Sequence, residues 1–160
     1  MRLAALLLSV ATVATAQEST HSVKLLTPEA ALKAAQAALA SCRGSGYQVA
    51  VAVVDRLGVT QVMLRDRFAG PHTVDFSINK AWTAVSFKTN TSELEKASRP
   101  GQSMSGLRHI PRFTSVGGGV TIEAAGSLLG ALGVSGAPGG DADEACALAG
   151  AKAIADSLEF

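Results

Sequence analysis

The segment Ser115–Gly140, SVGGGVTIEAAGSLLGALGVSGAPGG, holds nine of the chain's 16 glycines, and the use made of them decides the fold. A dinucleotide loop needs G-x-G-x-x-G between a strand and a helix, so that a helix N-terminus meets the pyrophosphate. A P-loop needs Lys and Ser/Thr directly after its last glycine. Here Gly117, Gly118 and Gly119 run into Val120, Thr121 and Ile122, which is strand chemistry, and Gly-Lys-Ser/Thr occurs nowhere in the chain. The segment splits instead into two β-rich runs, RFTSVGGGVTIE and SLLGALGVSG, joined by a short Ala-Ala-Gly connection. Glycine inside a strand marks a bulge, or a surface that another backbone or a flat ligand approaches closely.

Upstream, YQVAVAVVDRLGVTQVMLR repeats the hairpin pattern: two Val-rich runs flank turn residues Asp55 to Gly58, with Asp55 bonding nearby backbone N–H groups. Before it, LTPEAALKAAQAALASC predicts a helix with Thr27 as N-cap and Pro28 at N1. It carries a small-residue stripe of Ala31, Ala34, Ala35, Ala38 and Leu39, and ends at Gly44 and Gly46. Between the hairpins, TVDFSINKAWTAVSFK predicts a second helix, with Val74, Ile78, Ala81, Trp82 and Val85 on the packed face and Asn79 and Lys80 opposite. Ser92 with Glu95 forms a capping box for a short helical turn, and residues 97–111 read as a long surface loop. The last segment is a helix, with Asp141 as N-cap and Glu144 at N3. Two hairpins with helices between them predict an α+β fold, an antiparallel sheet packed by helices.

The first 16 residues stand apart. Arg2, the apolar run Leu3–Val13, and Ala14 and Ala16 follow the pattern of a secretory signal peptide. Residues 17–24 then form a leader, and 25–160 a single domain in a secreted or periplasmic protein with no stable membrane insertion after cleavage. Without Arg2 the 14 basic residues fall to 13, equal to the 13 acidic ones, so nothing electrostatic argues for nucleic acid. Cys42 and Cys146 permit one disulfide in an oxidising compartment; two buried thiols are the alternative.

The segments VAVVDRLGVTQVMLR, AGPHTVDFSINKAWTAVSF and GGGVTIEAAGSLLGALGVSGAPGGDADEACALAG, with their spacing, resemble the GlcG/HbpS-like family of haem-binding proteins. That family also occurs as the C-terminal domain of some PduO-type cobalamin adenosyltransferases. The resemblance covers roughly residues 25 to 158. It implies a compact antiparallel sheet flanked by helices, a homo-oligomer, often an octamer, and haem binding, with some members held to degrade haem or sequester its iron. Many members carry proline where Thr121 stands, and many carry an Asp-Gly-Ala loop where this chain reads RDRFAGPH.

An axial ligand for haem iron is an imidazole, thiolate, thioether or phenolate. The chain has three histidines. His21 lies in the leader. His72 sits just before the second helix, either as a ligand or as a plain helix cap. His109 lies in the long loop, where Arg108 or Arg112 can pair with a propionate. Tyr47 and Met63 fall on expected strands, where core packing accounts for them. No zinc or calcium spacing and no serine-nucleophile motif is present. Glu123 and Asp143 are candidate acids explained by a strand edge and a helix cap. The residues therefore leave three classes open: an exported haem-binding protein, an enzyme using a pocket lined by Gly117, Gly118 and Gly119 on a small organic substrate, or a sensory subunit without turnover.

Overall fold

Helix α1 (Pro28–Gly44) begins where its sequence dictates, with the Thr27 hydroxyl accepting the Ala30 N–H at 3.2 Å and proline at the first position. The computed structural model describes residues 19–158, so segment 1–16, expected to be a signal peptide, lies outside the described residues. Strands β1 (Ala50–Asp55) and β2 (Thr60–Arg65) follow, then α2 (His72–Phe87) and α3 (Thr91–Ala97). A 3-10 turn, Ser105–His109, precedes β3 (Gly119–Ala124), β4 (Ser127–Ser135) and α4 (Gly140–Lys152). The four strands form one antiparallel sheet in the order β2-β1-β4-β3. No helix among the described residues is long and apolar enough to cross a membrane.

Both turns are fixed by local chemistry. The Asp55 carboxylate accepts the N–H groups of Leu57 at 2.8 Å and Val59 at 3.0 Å, and Gly58 supplies a φ of +80°. Between β3 and β4, Ala125 and Gly126 both take positive φ, 47° and 73°, the backbone of a tight hairpin turn. Near that end Ile122 faces Gly130 while Glu123 faces Leu128, leaving Leu129 as an extra residue. The bulge resets the alternation, so that Leu129 joins the larger core while Leu128 packs against the α2 side.

The larger core lies between the sheet and the pair α1 and α4, where Val49, Val51, Val53, Leu132 and Val134 meet Ala34, Ala35, Ala38 and Ala147. Close packing of the two helices needs Gly150, because a Cβ there would sit 2.7 Å from the Ala34 carbonyl oxygen. The same pair is tied covalently by the disulfide Cys42–Cys146, with Cα atoms 5.5 Å apart.

On the other face α2 lies directly on the strands. A Cβ at Gly133 would fall inside the Ser77 carbonyl oxygen, and one at Gly119 inside that of Lys80. Here the expected packing face needs correction. Thr73, Ser77, Lys80, Ala81, Ala84 and Val85 are buried, while Val74, Ile78 and Trp82 are only half-buried. A sheet surface of glycine and alanine admits a helix only by its small residues, so the bulkiest apolar side chains turn outward.

The short helices also differ from expectation. Ser92 does not cap α3; Asn90 precedes the helix, and its side-chain oxygen accepts the Thr121 N–H at 3.1 Å. The Thr91 hydroxyl accepts the Gly119 N–H at 2.8 Å. These two side chains satisfy outward-facing donors of edge strand β3. A proline at position 121 would supply no such donor. The 97–111 segment is not wholly irregular, since Ser105–His109 forms a 3-10 turn. Asp141 does not cap α4 either: Gly139 holds that position and makes no side-chain bond.

Two stability predictions follow from this packing. Gly133→Ala should destabilise the domain by about 3 kcal/mol, since the obstruction is helix backbone, while Gly44→Ala, with open space around it, should be neutral in urea unfolding. Reducing Cys42–Cys146, which spans 104 residues, should cost about 4–5 kcal/mol by chain entropy, read as a lower urea midpoint with dithiothreitol.

Candidate functional site

The segment RDRFAGPH leaves the sheet edge and is held at several points. The Asp66 N–H continues the ladder to the Val49 carbonyl at 2.9 Å, and the Asp66 carboxylate accepts Arg43 Nε at 2.8 Å and also Nη2. Arg65 Nη2 donates to the Ala69 carbonyl, and the Thr73 N–H and hydroxyl both donate to the Gly70 carbonyl, at 3.0 and 2.6 Å. These bonds place His72 at the first turn of α2 with its imidazole folded over Gly70. A Cβ on Gly70 would stand 2.8 Å from the ring Cε1, so the ring's position depends on that glycine.

His72 lines a cleft of about 570 Å³ between the start of α2, the chain ahead of β1, and the β4–α4 loop. Its walls include Tyr47, Phe68, Phe76 and Val116. Phe68 is 79% exposed and Phe76 and Val116 more than a third, so an imidazole sits among apolar surfaces facing solvent. Phe76 and Val116 also border a shallower pocket that contains Arg108, Phe113, Thr114 and Ser115, so the two hollows adjoin.

Lys80 and Asp143 also line the cleft, although each is less than 5% exposed. Lys80 Nζ donates to Asp143 Oδ2 at 2.7 Å and to the Val134 carbonyl at 3.0 Å, and the Phe76 ring centroid lies 5.4 Å away. Asp143 Oδ1 accepts the Ala137 N–H at 2.9 Å, fixing the β4–α4 loop. Burial pushes the Lys80 ammonium below its ordinary pKa, against the opposing pull of Asp143 and the more distant Glu144. Burial likewise pushes the Asp143 carboxyl up, opposed by Lys80 and the backbone N–H groups of Ala137 and Gly136.

One glycine of the triplet adjoins this pair, and its neighbours adjoin helix backbone. At Gly118, φ is +116°, and a Cβ would lie 2.7 Å from both Asp143 Cβ and the Val134 carbonyl and 2.9 Å from Lys80 Nζ. At Gly117 it would lie 2.8 Å from the Gly140 carbonyl. Gly117, Gly118 and Gly119 are buried beneath their own chain, and none of them lines the cleft. Their α-carbons make room for a helix backbone and an ion pair.

The remaining sequence candidates are dispersed. His109 is exposed on the 3-10 turn and does not line the cleft. Arg108 donates to the Ser98 carbonyl at 2.7 Å and the Glu95 carbonyl at 3.3 Å, with its remaining surface in the adjoining pocket. Arg112 lies 4.8 Å from the Trp82 ring centroid and donates to Asn79 Oδ1 at 3.2 Å, outside the cleft lining. His21 is exposed ahead of α1, and Tyr47, expected on a strand, precedes β1 and lines the cleft. Lys80 is absent from the sequence candidates because its helix position reads as solvent-facing. The available signal was Thr73, Ser77, Lys80, Ala81 and Ala84, a stripe of small residues interrupted by one lysine.

Among known proteins, the family model described as haem degrading protein HbpS-like matches residues 26–152. An uncharacterized 15.0 kDa protein from the dhaT-dhaS intergenic region of Citrobacter freundii is 36% identical over 118 residues, 72% of this chain and 83% of its own. The crystal structure of a Streptomyces reticuli HbpS double mutant superposes with a TM-score of 0.81 at 42% identity, over 91% of this chain and 98% of that one. The crystal structure of a PduOC:heme complex superposes with a TM-score of 0.77 at 31% identity, over 81% and 95% of the two chains. Fold and sequence agree, and the chain belongs to the HbpS-like family.

Proposed function

We propose that this protein is exported and binds haem at the cleft beside His72, as a homo-oligomer, holding the haem or presenting it for degradation. The observation that carries the proposal is an imidazole lying over Gly70 at the mouth of a cleft walled by Tyr47, Phe68, Phe76 and Val116. Solvent-facing aromatic surface beside one imidazole is the donor set and the apolar contact that a haem face requires. The haem of the PduOC complex and the family description support the same ligand class. When bound, haem iron supplies redox and oxygen chemistry. His72 would hold the iron, Phe76 and Val116 would meet the macrocycle, and Arg108 in the adjoining pocket would face a propionate.

Export is supported by the sequence of residues 1–16 and by the buried Cys42–Cys146 disulfide, a bond that persists in oxidising compartments. Exposed Leu57 and Leu148 offer apolar contacts for assembly, and the family resemblance implies a homo-oligomer, often an octamer.

Haemin titration of the protein lacking residues 1–16 tests the site. A saturable Soret shift at about one haem per chain is expected, weakened more than about 100-fold in His72→Ala and retained in His109→Ala. Light scattering on the same samples reads the oligomer, and Soret decay under reductant separates degradation from storage. No saturable shift in the folded wild-type protein would overturn haem binding; equal titration of His72→Ala and wild type would overturn the assignment of the ligand.

A further inference from the structure

The buried lysine at the floor of the cleft has no role in the haem proposal. A buried ion pair is a poor source of stability, because desolvating two charges offsets their attraction, and well-packed apolar residues of similar volume often serve as well or better. Yet Gly118 makes room for this one, with a left-handed φ where any side chain would strike Lys80 Nζ, Asp143 and the Val134 carbonyl. A buried lysine lining a cleft is one setting in which desolvation activates an amine as a nucleophile, and a carboxylate in contact with it can take its proton.

We propose that Lys80 is an imine-forming nucleophile, and that the cleft admits a compact carbonyl compound bearing a carboxylate, a small 2-oxo acid. The geometry supplies each part. Among the described residues Lys80 Nζ donates to two acceptors, Asp143 Oδ2 at 2.7 Å and the Val134 carbonyl at 3.0 Å, and an ammonium has three donors. The Phe76 ring, 5.4 Å from Nζ, forms an apolar wall on the cleft side. Gly139 and Gly140, also in the lining, open α4 without a capping side chain; of the two first-turn acidic residues Asp141 is exposed and Asp143 is engaged by Lys80, which leaves first-turn N–H groups for the carboxylate of the same molecule. The charged or titratable groups facing Lys80 are Asp143, in direct contact, and Glu144 farther off, with His72 elsewhere on the cleft wall.

The step balances within these groups. Asp143 takes one proton from the Lys80 ammonium, and rotation about Cε–Nζ turns the nitrogen lone pair toward the cleft. That pair forms the C–N bond as the carbonyl π pair moves to oxygen. Proton transfer from nitrogen to oxygen gives the neutral carbinolamine. Asp143 then returns its proton to the hydroxyl, the C–O bond breaks, and water leaves as the nitrogen pair closes a protonated imine. Nothing is oxidised or reduced.

Borohydride trapping tests this without any variant. The wild-type protein is incubated with pyruvate at about pH 7, where ordinary lysines, with pKa near 10.4, are almost wholly protonated. It is then reduced and mapped by peptide mass spectrometry. The expected result is a carboxyethyl adduct on Lys80 at least about tenfold above that on Lys33, Lys88, Lys96 or Lys152. Lys80→Arg, which keeps the charge, should lose it. No adduct, or one spread equally over the lysines, would overturn the nucleophile. Equal labelling by propanal would overturn the carboxylate subsite. The haemin titration does not read this chemistry, so either proposal can fail alone.

Discussion

Helix α2 approaches the sheet so closely that its own carbonyl oxygens, at Ser77 and Lys80, occupy the space where Gly133 and Gly119 would carry side chains. Most of the remaining structure depends on that approach. It obliges β3 and β4 to be glycine-rich at the crossing and selects Ser77, Ala81 and Ala84 for the helix face. It also draws residue 80 into the protein, whatever its polarity. A lysine carried inward in this way needs an acceptor, and Asp143 supplies one from the first turn of α4 on the opposite layer. The ion pair thus passes through the gap that the glycines create, and one contact joins α2, the end of β4 and the start of α4.

The cleft is a consequence of the same geometry. Asp143 draws the β4–α4 loop toward α2 through the Ala137 N–H, while Asp66 and Thr73 hold the RDRFAGPH segment against the other side. The hollow between them is framed by backbone that is bonded on both sides. Its mouth and floor differ in chemistry. Exposed aromatic and aliphatic groups surround His72 at the surface, while the floor offers a desolvated amine, a carboxyl and an uncapped helix start. A planar apolar ligand matches the first and a small anionic carbonyl compound the second. Preorganised groups of this kind contribute more to binding than adaptable ones, because their ordering is complete beforehand.

Much of this fold was legible in the sequence because its signals are local. Thr27 and Pro28 begin α1, Asp55 and Gly58 make the first turn, and Ala125 and Gly126 make the second, each by chemistry acting within a few residues. Hairpin order and helix order followed from them. The errors arose where a distant partner decides. Ser92 and Asp141 look like caps, but the Ser92 hydroxyl donates to Glu144 Oε1 at 2.8 Å, 52 residues away, and Asp141 is exposed. Asn90 and Thr91 look like a loop, yet they complete a strand edge some 30 residues later. The glycine triplet was read as a bulge or as a surface met by another backbone or a flat ligand, and was placed in a ligand pocket; what stands against it is the backbone of Gly140, Val134 and Lys80, which a lone sequence does not single out. The site divided in the same way: His72 lies at a recognisable loop-to-helix junction, while Lys80 was hidden because helical periodicity assumes that bulky apolar residues face inward.

That assumption fails for a general reason. Hydrophobic periodicity predicts the buried face when the partner surface has depth for large side chains to fill. A sheet surface of glycine and alanine has none, so burial there selects for size rather than polarity, and Trp82 stays half-buried while Thr73, Ser77 and Thr83 go under. Long polar side chains then reach the interior only where the opposing strand gives way. In this protein it gives way at Gly118, where the positive φ swings the backbone aside and a Cβ would meet the amine. The point at which the chain swings aside ahead of β3 is therefore the point at which a charge enters the cleft, so the SVGGGV segment that leads into the strand also sets the chemistry of the floor.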